Sequence, residues 1–400
     1  MSIWKLLGVT VTALAGLAST SHAGTYYVAI NGSADNDGSY TRPWPSVAHA
    51  LAQVGGGNTI VLKPGVYVGP VTVRMKNAGT EKSPTVIKSE KKWKAVIIGG
   101  GFGHGMGDDI GCPWVVFDGF EVFGAADGIS LNGDHNTARN CWVHNNWAMG
   151  ISSHSRTGNV IENNLVEYNG QHPHLHHGIY ADGEDLLVRN NVIRHNAAFG
   201  LHLYPSMKKA VVVNNLIYGH NYQSGIILYS PSGGGGGENL IVNNTVVDNA
   251  RGISIAHGNG EKLYNNMVIA EKPGFVFDTS EDTVNILADY NLCVPSSPLQ
   301  GPHGLSVDPG FVKPGLMCYW LRADSPARGK GTAEYAPRTD FWGRELPAGT
   351  VPDLGALAYS SYWASEKAMK TLPNRFPNRF ARGRTEWELP DLWLAPKDDR

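Results

Sequence analysis

The stretch NNVIRHNAAFGLHLY, residues 190–204, decides how this 400-residue chain is read. An Asn-Asn pair opens it, a short apolar strand follows, and a Gly-apolar step starts a second strand. The phrase recurs at Asn163-Asn164, Asn190-Asn191, Asn214-Asn215, Asn243-Asn244 and Asn265-Asn266, with Asn140-Cys141 as a degenerate first copy. Successive copies lie 23, 27, 24, 29 and 22 residues apart, a period in the range of solenoids. The strands after the pairs are Leu165-Val166, Val192-Ile193, Leu216-Ile217, Thr245-Val246 and Met267-Val268; the Gly steps are Gly150-Ile151, Gly178-Ile179, Gly200-Leu201, Gly225-Ile226, Gly252-Ile253 and Gly274-Phe275. No helical period lies between them. The pattern predicts an all-β parallel β-helix with one coil per repeat. Asn tolerates left-handed turns, and its amide can bond from rung to rung. Asn163, Asn190, Asn214, Asn243 and Asn265 are therefore expected to stack in one column, about 5 Å between neighbours. A leucine-rich repeat is excluded by the leucine and asparagine spacing.

Side chains alternate in and out along a strand. With the residue after each Gly pointing in, the next forms an outward row: Ser130, Ser152, Tyr180, His202, Ile227, Ser254. Two positions further on the row reads Asn132, His154, Asp182, Tyr204, Tyr229; after the Asn pairs it reads His144, Glu167, Arg194, Tyr218. Titratable residues collect between about 144 and 229, and the same rows are bland elsewhere. The segment QHPHLHH, residues 171–177, brings four histidines where the next copy has only Ala197-Ala198-Phe199. Its length accounts for the long spacing, so it is an inserted turn beside this surface. His176 and His177 could act in acid–base chemistry, the H-x-H spacing permits a metal without being diagnostic, and a solvated turn is the third reading. Five glycines, Gly233 to Gly237, form either a lid or an unstructured insertion at the neighbouring copy.

The chain carries 49 glycines, 17% charged residues and a net charge of -2. Such a balance suits tight turns and gives no bulk attraction to nucleic acid. Lys5, the apolar run over 6–17 and Ser21-His22-Ala23 before Gly24 read as a secretory signal over 1–23, which places the protein outside the cytoplasm or in the periplasm. No later run is long enough to span a membrane, and a monomer is expected. Cys112, Cys141, Cys293 and Cys318 allow three pairings; Cys141 sits at an Asn-ladder position, where a buried free thiol is equally compatible. The polar turn at 31–38 hints at calcium but lacks the EF-hand glutamate. Residues 45–54 have apolar positions at helical spacing, with a Pro near the start and glycines at the end. The domain reading is a β-helix over 24–359 and an extension over 360–400. The extension interleaves Arg375, Arg379, Arg382 and Arg384 with Phe376, Phe380 and Trp387, as a tail covering an edge or an arm touching an acidic sugar polymer.

The opening "TYYVA…DGSYTRPWPSVAHALAQV…NTIVLKPGVYVGPVTV…AGTEKSPTVIKS", the coil "HHGIYADGEDLLVRNNVIRHNAAFGLHLY" and the closing "DPGFV…YWLRADSPARGKGT…DFWGRELPAGTVPDLGALAY" resemble secreted right-handed β-helix proteins of the pectate-lyase-like superfamily. The opening looks like the chondroitinase-B-like and alginate-lyase-like branch, in which a short helix caps the first coil. That resemblance implies the fold and a polysaccharide partner; it does not specify the reaction, because one fold hosts many chemistries.

Eliminative cleavage of a uronate polymer needs the C5 carboxylate neutralised, a base for the C5 proton and an acid for the leaving oxygen. Arg194, His202, Tyr180 and His177 are the expected catalytic set: Arg194 as neutraliser, His202 as base, Tyr180 as acid, and His177 at the lip. Tyr204, His154, Asp182, His144, Tyr229 and His176 are the expected substrate contacts. Glycoside hydrolysis needs two facing carboxylates, which the rows supply poorly, since Glu167 is expected to pair with Arg194. The expectation is a secreted polysaccharide lyase acting on an acidic polymer. A mannuronan-type C5-epimerase, a glycoside hydrolase and a non-enzymatic carbohydrate-binding solenoid are the alternatives. No cofactor is required by this reading, with calcium left open.

Overall fold

The computed structural model describes residues 23–100, 103–230, 236–270, 276–280, 283–347 and 349–361. The proposed signal, most of the glycine run and the basic aromatic extension lie outside the described residues.

Each repeat contributes one strand to each of three parallel sheets of 11, 10 and 9 strands. One coil runs Val160–Glu162, Leu165–Glu167, then Ile179–Glu184; the next runs Leu187–Arg189, Val192–Arg194, then Leu201–Lys208. Pairing is in register from coil to coil, as in Leu165↔Val192↔Leu216 and Ile179↔Leu201↔Ile226. The result is a right-handed parallel β-helix. Inward residues such as Ile161, Val166, Ile179, Val188, Ile193 and Leu201 are fully buried and make one continuous core. The helix Val47–Gln53, started by the Ser46 side chain accepting from His49 N–H, buries Val47, Ala50 and Leu51 against the first coil.

The two asparagines of each pair do different work, where the sequence reading gave both jobs to the first. The first, at 140, 163, 190, 214, 243 and 265, turns the corner with φ between 52° and 57°. The second forms the buried ladder. Asn164 N–H and Nδ2 both donate to Asn191 Oδ1 at 2.9 and 3.0 Å, and the pattern continues through Asn215, Asn244, Asn266 and Asn291. Cys141 begins this column: its N–H donates to Asn164 Oδ1, and its thiol is free and buried. All four cysteines are free. A second ladder, Asn146, Asn169, Asn196, His220 and Asn249, holds the corner between the second and third sheets.

After the last coil the chain runs back along the outside of the second sheet. Phe311, Tyr319, Trp320, Phe341, Leu354 and Leu357 cover the outward side chains Trp142, Leu165, Val192, Leu216, Tyr218 and Met267. The first asparagines of the pairs stitch this strap down: Asn190 donates to Phe341 O, Asn214 to Thr339 O, Asn243 to Asp353 O and Asn265 to Thr332 O. The outer face of the second sheet is therefore closed, and the third sheet keeps an open face.

Neighbouring asparagines should respond differently to substitution. Asn164→Ala leaves Cys141 N–H and Ala138 O without partners and should cost about 2–4 kcal/mol. Asn163→Gly keeps a residue at ease with positive φ and should change stability by less than about 1 kcal/mol. Denaturant midpoints of the two variants check the division of labour.

Candidate active site

The outward row of the third sheet has the register expected from the repeat: Ser130↔Ser152↔Tyr180↔His202↔Ile227↔Ser254. Tyr180 and His202 are half-buried neighbours on successive strands, their rings 5.1 Å apart and nearly perpendicular. His177, at the end of the inserted turn, is 2% exposed. It lies parallel to Tyr180 at 5.5 Å and perpendicular to His202 at 4.5 Å. Tyr204 lies 5.4 Å from His202 and 5.2 Å from Tyr229, so the aromatic strip continues along the helix axis. On the other side of Tyr180, His154 lies 4.8 Å away ring to ring. His154 Nδ1 is 3.4 Å from Asp182 Oδ1, and the same carboxylate accepts from the Ser155 hydroxyl at 2.8 Å.

The hydrogen bonds assign the tautomers. The Phe199 backbone N–H donates to His177 Nδ1 at 3.4 Å, and His177 Nε2 is 3.0 Å from His202 Nδ1. Neutral His177 therefore carries its proton on Nε2 and donates it to His202 Nδ1, so His202 carries its own proton on Nε2. Burial pushes His177 down to about 2, with His202 adding to the effect, and burial pushes His202 down to about 4. Both rings are neutral at pH 7. His202 thus offers an N–H donor, which corrects its expected role as proton acceptor. Burial pushes the Tyr180 phenol up to about 12, helped by Asp182 and Tyr204, which keeps it a proton donor. Burial acts to raise the Asp182 pKa, but the hydrogen bonds from His154 and Ser155 outweigh it and hold the carboxylate below its ordinary value.

Two expected members are elsewhere. Arg194 belongs to the second sheet and is buried beneath the strap, its guanidinium 2.6 Å from Glu167 and donating to Tyr218 Oη at 2.7 Å. Burial opposes its charge, but Tyr218 and Glu167 more than offset this and raise its pKa. It is a structural ion pair out of a substrate's reach. His144 lies on the same closed sheet, 8% exposed, with Nε2 3.2 Å from Glu121. Strand alternation predicts which way these side chains point, but it carries no record of what covers them.

The histidine turn is built from its own rings. His176 Nδ1 accepts from the Gln171 and His172 N–H groups, His172 Nδ1 accepts from His174 N–H, and the Gln223 amide bonds His174 Nδ1 at 2.7 Å. His176 also packs on Trp147, which is 52% exposed, at 4.9 Å. No three His, Cys, Asp or Glu side chains among the described residues come together as a metal site. At the 31–38 turn, Asp37 caps Ser39 N–H and the Asn36 amide bonds Pro43 O, so these side chains serve the loop itself. Phe199 and Trp147 were not singled out by sequence reasoning; the available signal was their position in the same turn of neighbouring copies as the histidine insertion.

The family described as the Pel9A-like right-handed beta helix region matches residues 26–184. The periplasmic copper-binding protein NosD family matches residues 115–266. Pectate lyase L of Dickeya chrysanthemi is 28% identical over 59% of this chain and 60% of its own length. Pectate lyase L of Paenibacillus polymyxa (strain SC2) is 27% identical over 70% of this chain and 65% of its own. The chain thus spans about 60% of the length of the first of these relatives. Among solved structures, pectate lyase Pel9A superposes with a TM-score of 0.58 at 21% identity, covering 85% of this chain and 97% of that one. A glycoside hydrolase superposes with a TM-score of 0.57 at 12% identity, covering 68% of this chain and 94% of the other. Together these matches support a member of the pectate-lyase-like superfamily. Among the described residues the open face is that of the third sheet, and no helix among them is long and apolar enough to cross a membrane.

Two measurements test this assignment of faces. Arg194→Ala removes the cation paired with the buried Glu167 and should cost about 3–5 kcal/mol of stability, read from unfolding midpoints. The depressed histidines predict a pH effect. Their folded pKa values, about 2 and about 4, lie below the usual 6.5, so the unfolded chain binds protons first. Their contribution is full above about pH 6.5 and is lost as pH falls toward 4 and below. The melting temperature of His177→Gln should therefore depend less on pH between 7 and 4 than that of the parent.

Proposed function

We propose that the protein is a polysaccharide lyase that cleaves a uronate-containing polymer by β-elimination on the third-sheet face. The observation that carries this reading is the Asp182–His154–Tyr180–His202 line, which sets a proton acceptor and two neutral proton donors side by side. Support for the class comes from the pectate lyases among its relatives; oligogalacturonates and pectate are accordingly the first substrates to try.

The roles follow from tautomer and charge. Asp182 lies against His154 Nδ1, so the other ring nitrogen of His154 keeps its lone pair on an exposed edge and is the base for the C5 proton. Tyr180, held protonated by burial, gives its proton to the leaving oxygen. The C5–H bond breaks toward His154, the electron pair forms the C4–C5 double bond, and the C4–O bond breaks as Tyr180 protonates the departing chain. His202 Nε2–H faces the charge that develops on the carboxylate. His177 is a positioning residue: it touches no substrate and holds His202 in the donor tautomer. Tyr204, Tyr229 and the Trp147–His176 pair supply aromatic faces for neighbouring sugar rings. A hydrogen-bond donor is a weaker neutraliser than the arginine expected from the sequence, so the burial around His202, which strengthens its N–H bond, matters more. The exported location belongs to the same proposal.

Incubation with pectate, alginate, glucuronan and glycosaminoglycans tests the reading by the ultraviolet absorbance of unsaturated uronates. Cleavage with new absorbance is expected for at least one. Tyr180→Phe and His154→Ala should each lower turnover by at least about 10²-fold, with Ser254→Ala as the folded control. Shorter chains without absorbance would indicate hydrolysis, altered uronate composition without cleavage would indicate epimerisation, and binding alone would indicate a non-enzymatic solenoid. Each of these results would overturn the lyase assignment.

A further inference from the structure

A second candidate site lies at the edge where the first and second sheets meet, the one edge that the third sheet does not share. Here the strap and the asparagine corner leave a cleft of about 180 Å³. Its walls include Trp93 on the solenoid side and Phe341 and Trp342 on the strap, with Lys92, Asn163 and Asn190 between them. We propose that this cleft binds a single uronate ring of the polymer, outside the catalytic groove. The sugar identity rests on the substrate class proposed above.

The walls are held in place before any ligand arrives. Trp93 adopts φ 62°, a left-handed backbone that costs a bulky residue energy, and its indole N–H donates to Asn140 O at 2.8 Å. That bond fixes the ring through its edge, and the ring also packs at a tilt against Trp142 at 5.8 Å. Trp342 stacks on Trp320 at 6.0 Å and meets Phe341 edge-on at 4.9 Å. Asn190 ties the strap wall to the solenoid through Phe341 O at 2.6 Å. Flat aromatic walls with a few polar groups between them suit the C–H faces and the hydroxyl rim of a pyranose. The Asn163 carboxamide is exposed at the corner.

Charge selects an acidic sugar. Lys92 lies 4.7 Å over the Trp93 ring and makes no salt bridge among the described residues. Burial lowers the Lys92 pKa, and the charge of Asp118, itself bonded by Arg139 and the Asn140 amide, acts against that. A uronate carboxylate would therefore give this ammonium a direct ion pair that it does not have among the described residues. The cleft has room for one ring and not for a chain, so it fits an end or a side residue of the polymer. Such a site would anchor the enzyme to its substrate while the groove works elsewhere, raising local concentration without touching the chemistry.

Calorimetric titration with oligogalacturonate separates the two sites. A Tyr180→Phe background suppresses turnover during the titration. Two binding sites per chain are expected. Adding Lys92→Ala, which alters an exposed side chain, should weaken one of them by about tenfold and leave the other; adding Trp93→Phe should do the same through the opposite wall. One site only, or two sites that both variants leave unchanged, would overturn the inference, as would no binding at all. If the parent cleaves no uronate polymer yet the Lys92-dependent site persists, the lyase reading falls and the cleft stands. If it cleaves but the Lys92-dependent site is missing, the cleft falls and the lyase reading stands.

Discussion

The structure depends on a buried carboxamide that satisfies three neighbours at once. Asn191 is typical: its Oδ1 accepts from Asn164 N–H and Nδ2, while its Nδ2 donates to Ile161 O and to Asn215 Oδ1. A sharp corner in a parallel coil strands backbone groups where water does not reach, and such groups are expensive to leave unpaired. Asparagine carries a donor and an acceptor on a stem short enough to stand in the corner. Repeated at each coil, it also locks the register, because an Asn amide one residue out of phase would meet a carbonyl on the wrong strand. The outward rows inherit that register. Tyr180 sits beside His202 because Asn164, Asn191 and Asn215 hold their coils in line.

A solenoid with three faces has to decide which remain open. Here the decision is made by the strap, which shuts the second sheet over Trp142, Leu165, Val192 and Leu216. Beneath it, Glu167, Arg194 and Tyr218 form a polar island inside an apolar layer. Each member is paired, so the island is tolerated, and its value is to define how the strap sits. Among the described residues the third sheet has no such cover. Tyr180, His202, Tyr204 and Tyr229 are half-exposed on it, and the long turn reaches over them with His177.

Much of this was legible in the chain. The repeat of Asn pairs gave the coil period, the Gly-apolar steps gave the phase, and together they placed Tyr180 against His202 and His154 against Asp182. Those relations follow from periodicities of two along a strand and of one coil along the axis. What remained hidden is three-dimensional. The closing of the second sheet depends on residues from 305 onward packing back across copies more than a hundred residues earlier, a contact that no local pattern announces. The division between turn asparagine and ladder asparagine is another case. Both are Asn, and only the φ of the first and the burial of the second tell them apart. The tautomer of His202 turns on a backbone N–H at Phe199, in a turn that looked bland because its side chains are Ala197, Ala198 and Phe199.

The inserted histidine turn explains how one face can hold imidazoles of opposite character. His154 stands at the rim, 51% exposed at its side chain, with a carboxylate behind it. The Asp182 carboxylate orients this imidazole through Nδ1 and leaves the other ring nitrogen toward the groove. His202 stands under the turn with another neutral imidazole behind it and, among the described residues, no carboxylate bonded to either ring. Burial there disfavours the charged form, and the proton that His202 shows to the groove is part of a neutral chain beginning at Phe199 N–H. Exchanging the two environments would exchange the roles. On one face of the solenoid, a base and a donor are therefore distinguished by what lies behind each ring, and the turn at residues 171–177 supplies the difference.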